Sequence, residues 1–388
     1  MIACYSMRDL LFGLALAALA HAAPPAFREH LIAGDLTGGY QVVPFDVNRD
    51  GRVDLIALAS GIPDLVWFEN PGWQRHILAR GLNRMINLAA CDGMEEIVVA
   101  HAFANVPKNS IGIVSVLTPG ADRSQPWSVR EIDRLTTSHR LRCAAIDKSG
   151  RPVVINAALA GAKADAPDYR DHVPLVYYRP GEWKRITINE ANEGVVHGIF
   201  ITPWPPGSKG PDCVLTASFL GLHAQCPEAG GATWSRTLIN AGETAATAPK
   251  SGSSDVALGH LGRMRFLTAV EPWHGDQVSI YREAKGVWAR QVIDRTLVDG
   301  HTIVTKDLDG DGRDEVIAGY RGKGRSVYIF SSKDKRGDAW EKTVLDNGGI
   351  AAAACIALDL NDDRRPDIAC IGSATTNLKW YENMGAAK

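Results

Sequence analysis

Three histidines stand at matching points of a repeated pattern in the chain, namely His139, His197 and His301. Neutral imidazole nitrogens are common ligands of zinc, and three of them with one open position form a typical catalytic zinc site. We therefore predict that these side chains bind a zinc ion. The alternative is that each is a solvated or hydrogen-bonded loop histidine with no ligand role.

Two acidic segments have the spacing of an oxygen-rich cation loop. Carboxylate and amide oxygens at such intervals suit calcium, and the sequence predicts a structural calcium ion in each. The predicted ligands are Asp46, Asn48, Asp50 and Asp54 in the first segment, and Asp307, Asp309, Asp311 and Glu315 in the second. The alternative is that both segments are Asx turns, which are closed by hydrogen bonds from the backbone to these side chains.

Two related segments fit the cation pattern less well. The segment that begins at Asp359 has Arg364 where a glycine is wanted, so we expect a weaker site there. The segment that begins at Asp147 has Arg151 at a ligand position, which places a cation where a ligand should be. We therefore expect no metal ion at Asp147.

The elements that position these residues are short strands. Each acidic segment lies between two apolar runs, and tryptophan-led segments with alternating apolar and polar residues recur from Trp73 to Trp340. A period of two indicates a strand with one solvated face. Seven four-stranded units of about 50 residues predict an all-β fold, a seven-bladed β-propeller. The units begin near Tyr40, Arg84, His139, His197, Ser254, His301 and Ala351.

The last unit ends after Trp380 without a fourth strand, whereas residues 27–32 have the pattern of one. We predict that this N-terminal strand closes the ring, which removes two exposed sheet edges. Residues 23–388 would then form a single propeller. A tandem of β-sandwiches is the competing interpretation, and it leaves the N-terminal strand without a partner.

The predicted zinc and calcium sites lie on opposite faces of this propeller. His301 begins an innermost strand, and Asp307 follows the same strand after six residues, roughly 20 Å away. Since the innermost strands surround the central channel, histidines at their starts are expected to converge on its mouth.

Three segments carry a family resemblance: Val196-His197-Gly198, Val270-Glu-Pro-Trp-His-Gly275, and Gly300-His301 with the acidic loop and Arg321 that follow. They resemble the propeller domain of the aldos-2-ulose dehydratase family, and the acidic turns resemble FG-GAP/VCBS repeats. The resemblance implies a zinc ion that polarises the ketone of a sugar such as 1,5-anhydrofructose while water is eliminated. It covers the propeller alone, since the family's cupin and lectin-like domains have no counterpart in this sequence.

Elimination next to a carbonyl requires a base for the α-proton and an acid for the leaving group. Histidine titrates near neutral pH, and the candidates on the loop face are His172, His101 and His274. Cations that could stabilise the enolate are Lys108, Arg84 and Arg321. Trp273 and Tyr169 offer flat faces to a sugar ring, although either could instead pack between blades.

Composition and the N-terminus place further limits on the function. The formal net charge of −2 does not favour a nucleic-acid partner, which would need a basic face. An apolar run ending at Ala20 and a small-x-small site predict a secretory signal over residues 1–22, and therefore export to the periplasm or the extracellular space. A buried N-terminal helix is the alternative. No stretch is long and apolar enough to predict a membrane helix.

Cysteine usage agrees with export. Six cysteines remain after the predicted signal, and an oxidising compartment permits disulfides between them. Cys213 and Cys226 fall on one predicted hairpin, and Cys355 and Cys370 fall on another. We predict that each pair can form a bridge, with free buried thiols as the alternative.

Together these features predict an exported, zinc-dependent sugar dehydratase or lyase with structural calcium, acting on a small oxidised carbohydrate such as a keto-glycoside. A non-catalytic propeller that binds carbohydrate or protein is the first alternative. A polysaccharide lyase is the second, and it would need a long open groove in place of a pocket. The sequence does not indicate an oligomeric state.

Overall fold

The structure is a computed structural model that describes residues 25–228, 233–245 and 250–386. The predicted signal segment lies outside these residues. The regular secondary structure of the described residues is β-strand, apart from one 3-10 helix at Pro107–Asn109. None of its helices is long and apolar enough to cross a membrane.

The strands form seven four-stranded antiparallel sheets, as predicted. Strand β1 (Pro25–Ala33) comes first in the chain and belongs to the seventh blade. Blade one consists of β2 (Gly39–Phe45), β3 (Asp54–Ala59), β4 (Leu65–Glu69) and β5 (Gln74–Ala79). Blade two consists of β6 (Asn87–Ala90), β7 (Ile97–His101), β8 (Ile113–Thr118) and β9 (Ser128–Arg134). Blade three consists of β10 (Ser138–Ala144), β11 (Val153–Ala158), β12 (His172–Tyr178) and β13 (Arg185–Glu193).

The second half of the ring repeats this order. Blade four consists of β14 (Val196–Pro203), β15 (Asp212–Ser218), β16 (Gly221–Pro227) and β17 (Trp234–Asn240). Blade five consists of β18 (Asp255–Leu261), β19 (Met264–Glu271), β20 (Gln277–Ala284) and β21 (Val287–Asp294). Blade six consists of β22 (Gly300–Lys306), β23 (Glu315–Tyr320), β24 (Ser326–Ser332) and β25 (Trp340–Asn347). Blade seven consists of β26 (Ala352–Leu358), β27 (Asp367–Gly372), β28 (Leu378–Ala386) and β1.

The N-terminal strand closes the ring, and this prediction is confirmed. Strand β1 pairs antiparallel with β28, so that Phe27 faces Asn383 and His30 faces Trp380. The His30 ring stacks on the Trp380 indole at 4.5 Å between centroids, and its Nε2 lies 2.9 Å from a Glu382 oxygen. The last blade therefore gains its fourth strand from the other end of the chain.

The hydrophobic core lies between neighbouring blades. Every residue of β3, β11, β23 and β27 is buried, because these second strands have a blade packed on each face. The outermost strands are more exposed, and β9 buries none of its residues. Burial on both faces of the second strands holds each innermost strand in place at the channel.

Three disulfides reinforce the ring. Cys213–Cys226 and Cys355–Cys370 each join neighbouring strands of one blade, as predicted. The third, Cys91–Cys143, joins blade two to blade three. We did not predict it from the sequence because its two cysteines are 52 residues apart on different hairpins.

Candidate metal centre

A β-bulge at the loop end of the innermost strands positions the histidines. The register shifts by one residue at the start of five of the seven strands that line the channel. Such a bulge leaves one residue out of the ladder and redirects its side chain. The residues at these shifts are Tyr40, His139, His197, His301 and Ala353. Three of the five are the histidines that the sequence singled out, and all five stand around the channel mouth.

Three imidazoles come within ligand distance of one another at this mouth. They belong to His197, His274 and His301, and one nitrogen of each lies within 4.8 Å of the others. His274 enters from the loop that follows β19, and its Nε2 is 3.0 Å from the Nε2 of His197. The structure therefore brings together two of the three predicted zinc ligands and adds His274, which we had predicted to be a base.

The other nitrogen of each ring has an acceptor that fixes its tautomer. His197 Nδ1 lies 3.0 Å from the Ser254 carbonyl oxygen, and His301 Nδ1 lies 2.6 Å from the Ala353 carbonyl oxygen. Each Nδ1–H therefore donates to the backbone of the next blade. The Nε2 atom of each ring then carries no proton and has a free lone pair. The buried Nε2 of His301 has no hydrogen-bond partner among the described residues.

His274 has a charged acceptor. Its Nδ1 lies 2.6 Å from Asp299 Oδ1, and Arg321 holds the same carboxylate through Nε and Nη2. Arg321 Nη2 also lies 3.0 Å from the His274 Nδ1. Carboxylate–histidine pairs of this kind orient imidazoles that bind metal ions. With its proton on Nδ1, His274 directs a third lone pair at the other two.

His139 lies beside this group but has a different partner. Its ring centroid is 5.0 Å from that of His197, while its Nε2 lies 2.7 Å from the Tyr40 hydroxyl. Its buried Nδ1 has no partner among the described residues. His139 is therefore placed at the site, in contact with Tyr40, but outside the group of three converging nitrogens.

Burial keeps the histidines neutral. Loss of solvent lowers the pKa of His139, His197 and His301 well below its ordinary value, and the nearby cationic side chains lower it further. Burial also lowers the pKa of His274, although the Asp299 carboxylate opposes this effect. Neutral imidazole is the form that binds metal ions. Three lone pairs directed at one point would repel one another, so this donor set fits a cation.

A pocket of about 420 Å³ opens beside the histidines on the loop face. Its size falls within the range of about 300–1,000 Å³ that is usual for small-molecule sites. Aromatic side chains line one wall, and the Trp273 indole contacts Tyr169 at 5.6 Å and Phe219 at 5.3 Å between centroids. The buried Trp273 Nε1 has no partner in the described ranges. The pocket thus offers flat apolar faces to a ligand.

The remaining predicted catalytic residues do not line this pocket. His101 is buried within blade two, where its Nε2 lies 3.0 Å from Ser115 Oγ. His172 is exposed at the start of β12, and Lys108 and Arg84 are exposed in loops of blade two. Arg321, Trp273 and Tyr169 do line the pocket.

The acidic segments form the same turn three times on the opposite face. In the blade-six segment, Asp307 accepts hydrogen bonds from the backbone of Gly310 and Gly312, at 2.8 and 2.9 Å. Its last carboxylate, Glu315, accepts from the Leu308 backbone at 2.9 Å. The blade-one segment has equivalent bonds to Asp46 and Asp54, and the blade-seven segment has them to Asp359 and Asp367.

These turns concentrate negative charge. The carboxylates of Asp307, Asp309 and Glu315 come within 4.8 Å of one another. Burial, together with the charges of the neighbouring aspartates, raises the pKa of Glu315 to about 8, although the hydrogen bond from the Leu308 backbone opposes this effect. Burial likewise raises the pKa of Asp54 to about 6. At Asp147 the carboxylate is paired with Arg179 at 3.0 Å.

Sequence reasoning did not identify Tyr40, Asp299 or Phe103 as site residues. Tyr40 stands at the same bulge position as the histidines, so the repeat alignment contained that signal. Asp299 stands two residues before His301 and needs the loop geometry to be connected with His274. Phe103, whose ring centroid is 5.6 Å from that of His139, had no signal that we can name.

Comparisons with known proteins agree with this architecture. The family model for the aldos-2-ulose dehydratase β-propeller domain matches residues 112–284, and the model for the FG-GAP-like repeat matches residues 307–370. Aldos-2-ulose dehydratase from Phanerodontia chrysosporium is 22% identical over 399 residues, which covers 86% of this chain and 42% of that protein. The chain thus spans less than half the length of this relative.

Solved structures show the same fold at low identity. The WD40 β-propeller domain of Doa1 has a TM-score of 0.56 at 13% identity and covers 91% of this chain and 97% of that chain. A candidate 6-phosphogluconolactonase from Bacteroides fragilis has a TM-score of 0.51 at 13% identity, with 90% and 96% covered. These two similarities concern the fold alone. With the family matches they show a seven-bladed β-propeller in which one segment is similar to the FG-GAP-like repeat and a longer one to the propeller domain of aldos-2-ulose dehydratase.

Proposed function

We propose that the protein is a metal-dependent carbon–oxygen lyase that eliminates water or an alkoxide next to the carbonyl of an oxidised sugar. The observation that carries this proposal is the convergence of three imidazole lone pairs, two of them from buried rings, beside an aromatic pocket. The resemblance to a dehydratase supports the same class of reaction. A small carbohydrate of the 1,5-anhydrofructose or keto-glycoside type is the proposed substrate.

The metal in this proposal is zinc, held by His197, His274 and His301 through Nε2. Three nitrogen ligands with one open position suit catalytic zinc. This set replaces the one we predicted from the sequence, because His139 is engaged by Tyr40 whereas His274 points at the other two rings. When bound, zinc polarises a carbonyl oxygen and acidifies the neighbouring C–H bond.

Proton transfer is assigned to the chain's own residues at the pocket. His139 is neutral, lines the pocket and contacts the Tyr40 hydroxyl, so it can take up the α-proton and return it to the departing oxygen, which leaves as water or an alcohol. Arg321 lines the same pocket and can hold a departing or remaining oxygen by donating hydrogen bonds. The indole of Trp273 provides a face for the sugar ring. His172 and His101, which we predicted as bases, lie away from the pocket.

Export and structural calcium belong to the same proposal. The signal pattern of residues 1–22 and the three disulfides both suit an oxidising compartment. Calcium ions are proposed in the turns that begin at Asp46 and Asp307, where clustered carboxylates favour a cation. Their role would be structural, since these turns follow the innermost strands at the end away from the histidines.

The test compares His301→Ala with His172→Ala in the purified protein. Zinc is measured by elemental analysis, and turnover of 1,5-anhydrofructose and keto-glycosides is followed by the absorbance of the enone product. We expect His301→Ala to lose both metal and turnover while the fold stays intact, although loss of a buried, hydrogen-bonded side chain should lower the melting temperature. His172→Ala should retain both, because that side chain is exposed and lies outside the pocket.

Two outcomes would contradict the proposal. Full activity after removal of all transition metal would reject the metal-dependent mechanism. Saturable sugar binding to the metal-loaded protein without any turnover would instead favour a non-catalytic carbohydrate-binding propeller, for which the aromatic wall of Trp273 and Tyr169 would suffice.

A further inference from the structure

The central channel continues below the histidines as a cavity of about 620 Å³. Arg140 and Arg142 on β10 both line it, because side chains two residues apart in a strand share a face. Asp255 lines it from β18, in blade five. The cavity therefore contains two guanidinium groups and one carboxylate at its middle level.

Among the described residues, the two arginines have only neutral hydrogen-bond partners. Arg142 Nη1 donates to the side-chain oxygen of Asn87 at 3.0 Å and to the Leu141 carbonyl oxygen at 2.8 Å. Arg140 Nη1 donates to the Tyr40 hydroxyl at 3.2 Å, and Arg140 is only 5% exposed. Within the described part of the chain, neither guanidinium forms a salt bridge. The remaining nitrogens of both groups are left to the cavity.

Asp255 does not neutralise these charges by direct contact. Its Oδ1 accepts from its neighbour's backbone, Val256 N, at 3.1 Å, and it packs against Gly198, where a Cβ would lie 2.5 Å from that oxygen. Burial raises the pKa of Asp255, although both arginines oppose this effect. Burial lowers the pKa of Arg142 to about 10, and the charge of Arg140 contributes. The middle of the channel thus carries a net positive charge.

The ends of the cavity do not supply the balancing charge. At the turn face, His260 and Asp314 pair with each other at 3.1 Å, and Lys306 adds a further cation. At the loop face, the cavity is bounded by neutral groups, Tyr40 and His301. Buried charges without a partner are costly, whereas the same charges favour an anion that enters the cavity.

We propose that the channel binds a small oxyanion between Arg140 and Arg142. Guanidinium groups donate parallel hydrogen bonds to two oxygens of a carboxylate, sulfate or phosphate, a geometry that halide ions cannot match. The site is distinct from the proposed zinc site and requires neither metal nor sugar. The cavity extends to His260 and Lys306 at the turn face, so an anion entering there would avoid the loop-face pocket.

The experiment titrates sulfate, phosphate and acetate into the protein at constant ionic strength set with sodium chloride, and records heats of binding. We expect saturable binding of at least one oxyanion, weakened roughly tenfold by Arg142→Gln, because one of the two forks is lost. Asp255→Asn should bind the same anion more tightly, since the competing negative charge is gone. Arg130→Gln, at an exposed position on β9, is the control and should leave binding unchanged.

The pattern across anions identifies the ligand. Binding of acetate alone would assign a carboxylate, and binding of sulfate and phosphate alone would assign a tetrahedral oxyanion. The proposal is wrong if no oxyanion binds saturably, or if chloride binds equally well. It is also wrong if His301→Ala abolishes binding while Arg142→Gln does not, because the anion would then be held at the proposed metal site. Asp255→Asn keeps the test valid if Arg142→Gln does not fold.

Discussion

The nitrogen that carries the proton decides which atom of each imidazole in His197, His274 and His301 is free to bind a metal ion. In His197 and His301 a backbone carbonyl fixes the Nδ1 proton, so that Nε2 can only accept. In His274 a carboxylate does so, and Asp299 is in turn held by Arg321. The Asp299 contact should strengthen the ligand, because a carboxylate acceptor raises the basicity of the opposite nitrogen.

Asp299→Asn should therefore weaken zinc binding by roughly 10–100-fold while leaving the melting temperature of the metal-free protein nearly unchanged. The amide keeps the shape of the side chain but removes its charge. Zinc affinity measured by competition with a chromophoric chelator tests this expectation. Asp276→Asn, at a nearby exposed carboxylate, is the matched control, and equal zinc affinity in the two variants would exclude a positioning role for Asp299.

Glu315 should make the cation-free protein sensitive to alkaline pH. Because its folded pKa is raised from 4.5 to about 8, the folded state retains a proton that the unfolded state has lost. The part of the free energy of unfolding that depends on this proton is fully present below about pH 4.5. It is lost as the pH rises through about 8. In chelator at pH 9, the free energy of unfolding of Glu315→Gln, measured by urea titration, should exceed that of the parent by roughly 1–3 kcal/mol.

Calcium should reverse this order, since the parent has the full ligand set and the variant does not. Glu341→Gln, an exposed substitution on β25, is the control for general charge effects. A parent protein whose stability in chelator does not change between pH 6 and 9 would show that Glu315 titrates in its ordinary range.

The position of the histidines was predictable, but their chemistry was not. The repeat places His139, His197 and His301 at the same point of three blades, and all three do stand at the channel mouth. Which rings could bind one metal ion together depends on the rotation of each side chain, and on the loop that brings His274 to the other two rings. Neither follows from spacing along the chain.

Among the elements, the acidic turn is the most regular. Each of the three copies has two residues with positive φ: Arg49 and Gly51, Gly310 and Gly312, Asp362 and Arg364. Where the first two copies have glycine at the second position, the third has Arg364 at φ 67°. A side chain in this left-handed region costs about 1–2 kcal/mol, which glycine avoids.

Arg364→Gly should therefore stabilise the protein by about 0.5–1 kcal/mol, after allowance for the larger entropy of glycine in the unfolded chain. Thermal unfolding monitored by circular dichroism provides the measurement. Arg364→Ala is the matched control, because alanine keeps the strained φ and should bring no gain. If both variants gained equally, relief of charge repulsion would explain the effect instead of relief of backbone strain.

The turns and strands were readable from the sequence because they follow local rules. Acidic residues at fixed intervals bind their own backbone, and alternating residues form strands whatever their neighbours are. The bulges that aim the histidines were not readable, since a bulge is defined by the register of two strands and not by one segment. The interblade disulfide Cys91–Cys143 was not predicted for the same reason, since it depends on how two segments of different blades meet.

At the scale of the whole molecule, the ring depends on its two ends. Strand β1 contributes one edge of blade seven, and β26 of that blade packs against both β22 and β2. Removing β1 would leave β28 with an unpaired outer edge. Exposed edges of this kind pair with other chains.

A chain that starts at residue 34 should therefore melt at a lower temperature than one that starts at residue 23, and it should self-associate. Differential scanning calorimetry and analytical ultracentrifugation measure the two effects. The chain from residue 23, which begins at the predicted mature terminus, is the control. A monomeric, equally stable product of the shorter chain would mean that closure by β1 adds little to the ring.

The hydrogen bonds that fix the histidine tautomers also determine when the centre can exist. Blade five orients the ring of blade four, and blade seven orients the ring of blade six. Blade seven is complete only when the first strand of the chain has joined the last. An unfinished ring consequently lacks the arranged ligands, so the proposed zinc ion would bind a newly made chain only after the ring has closed.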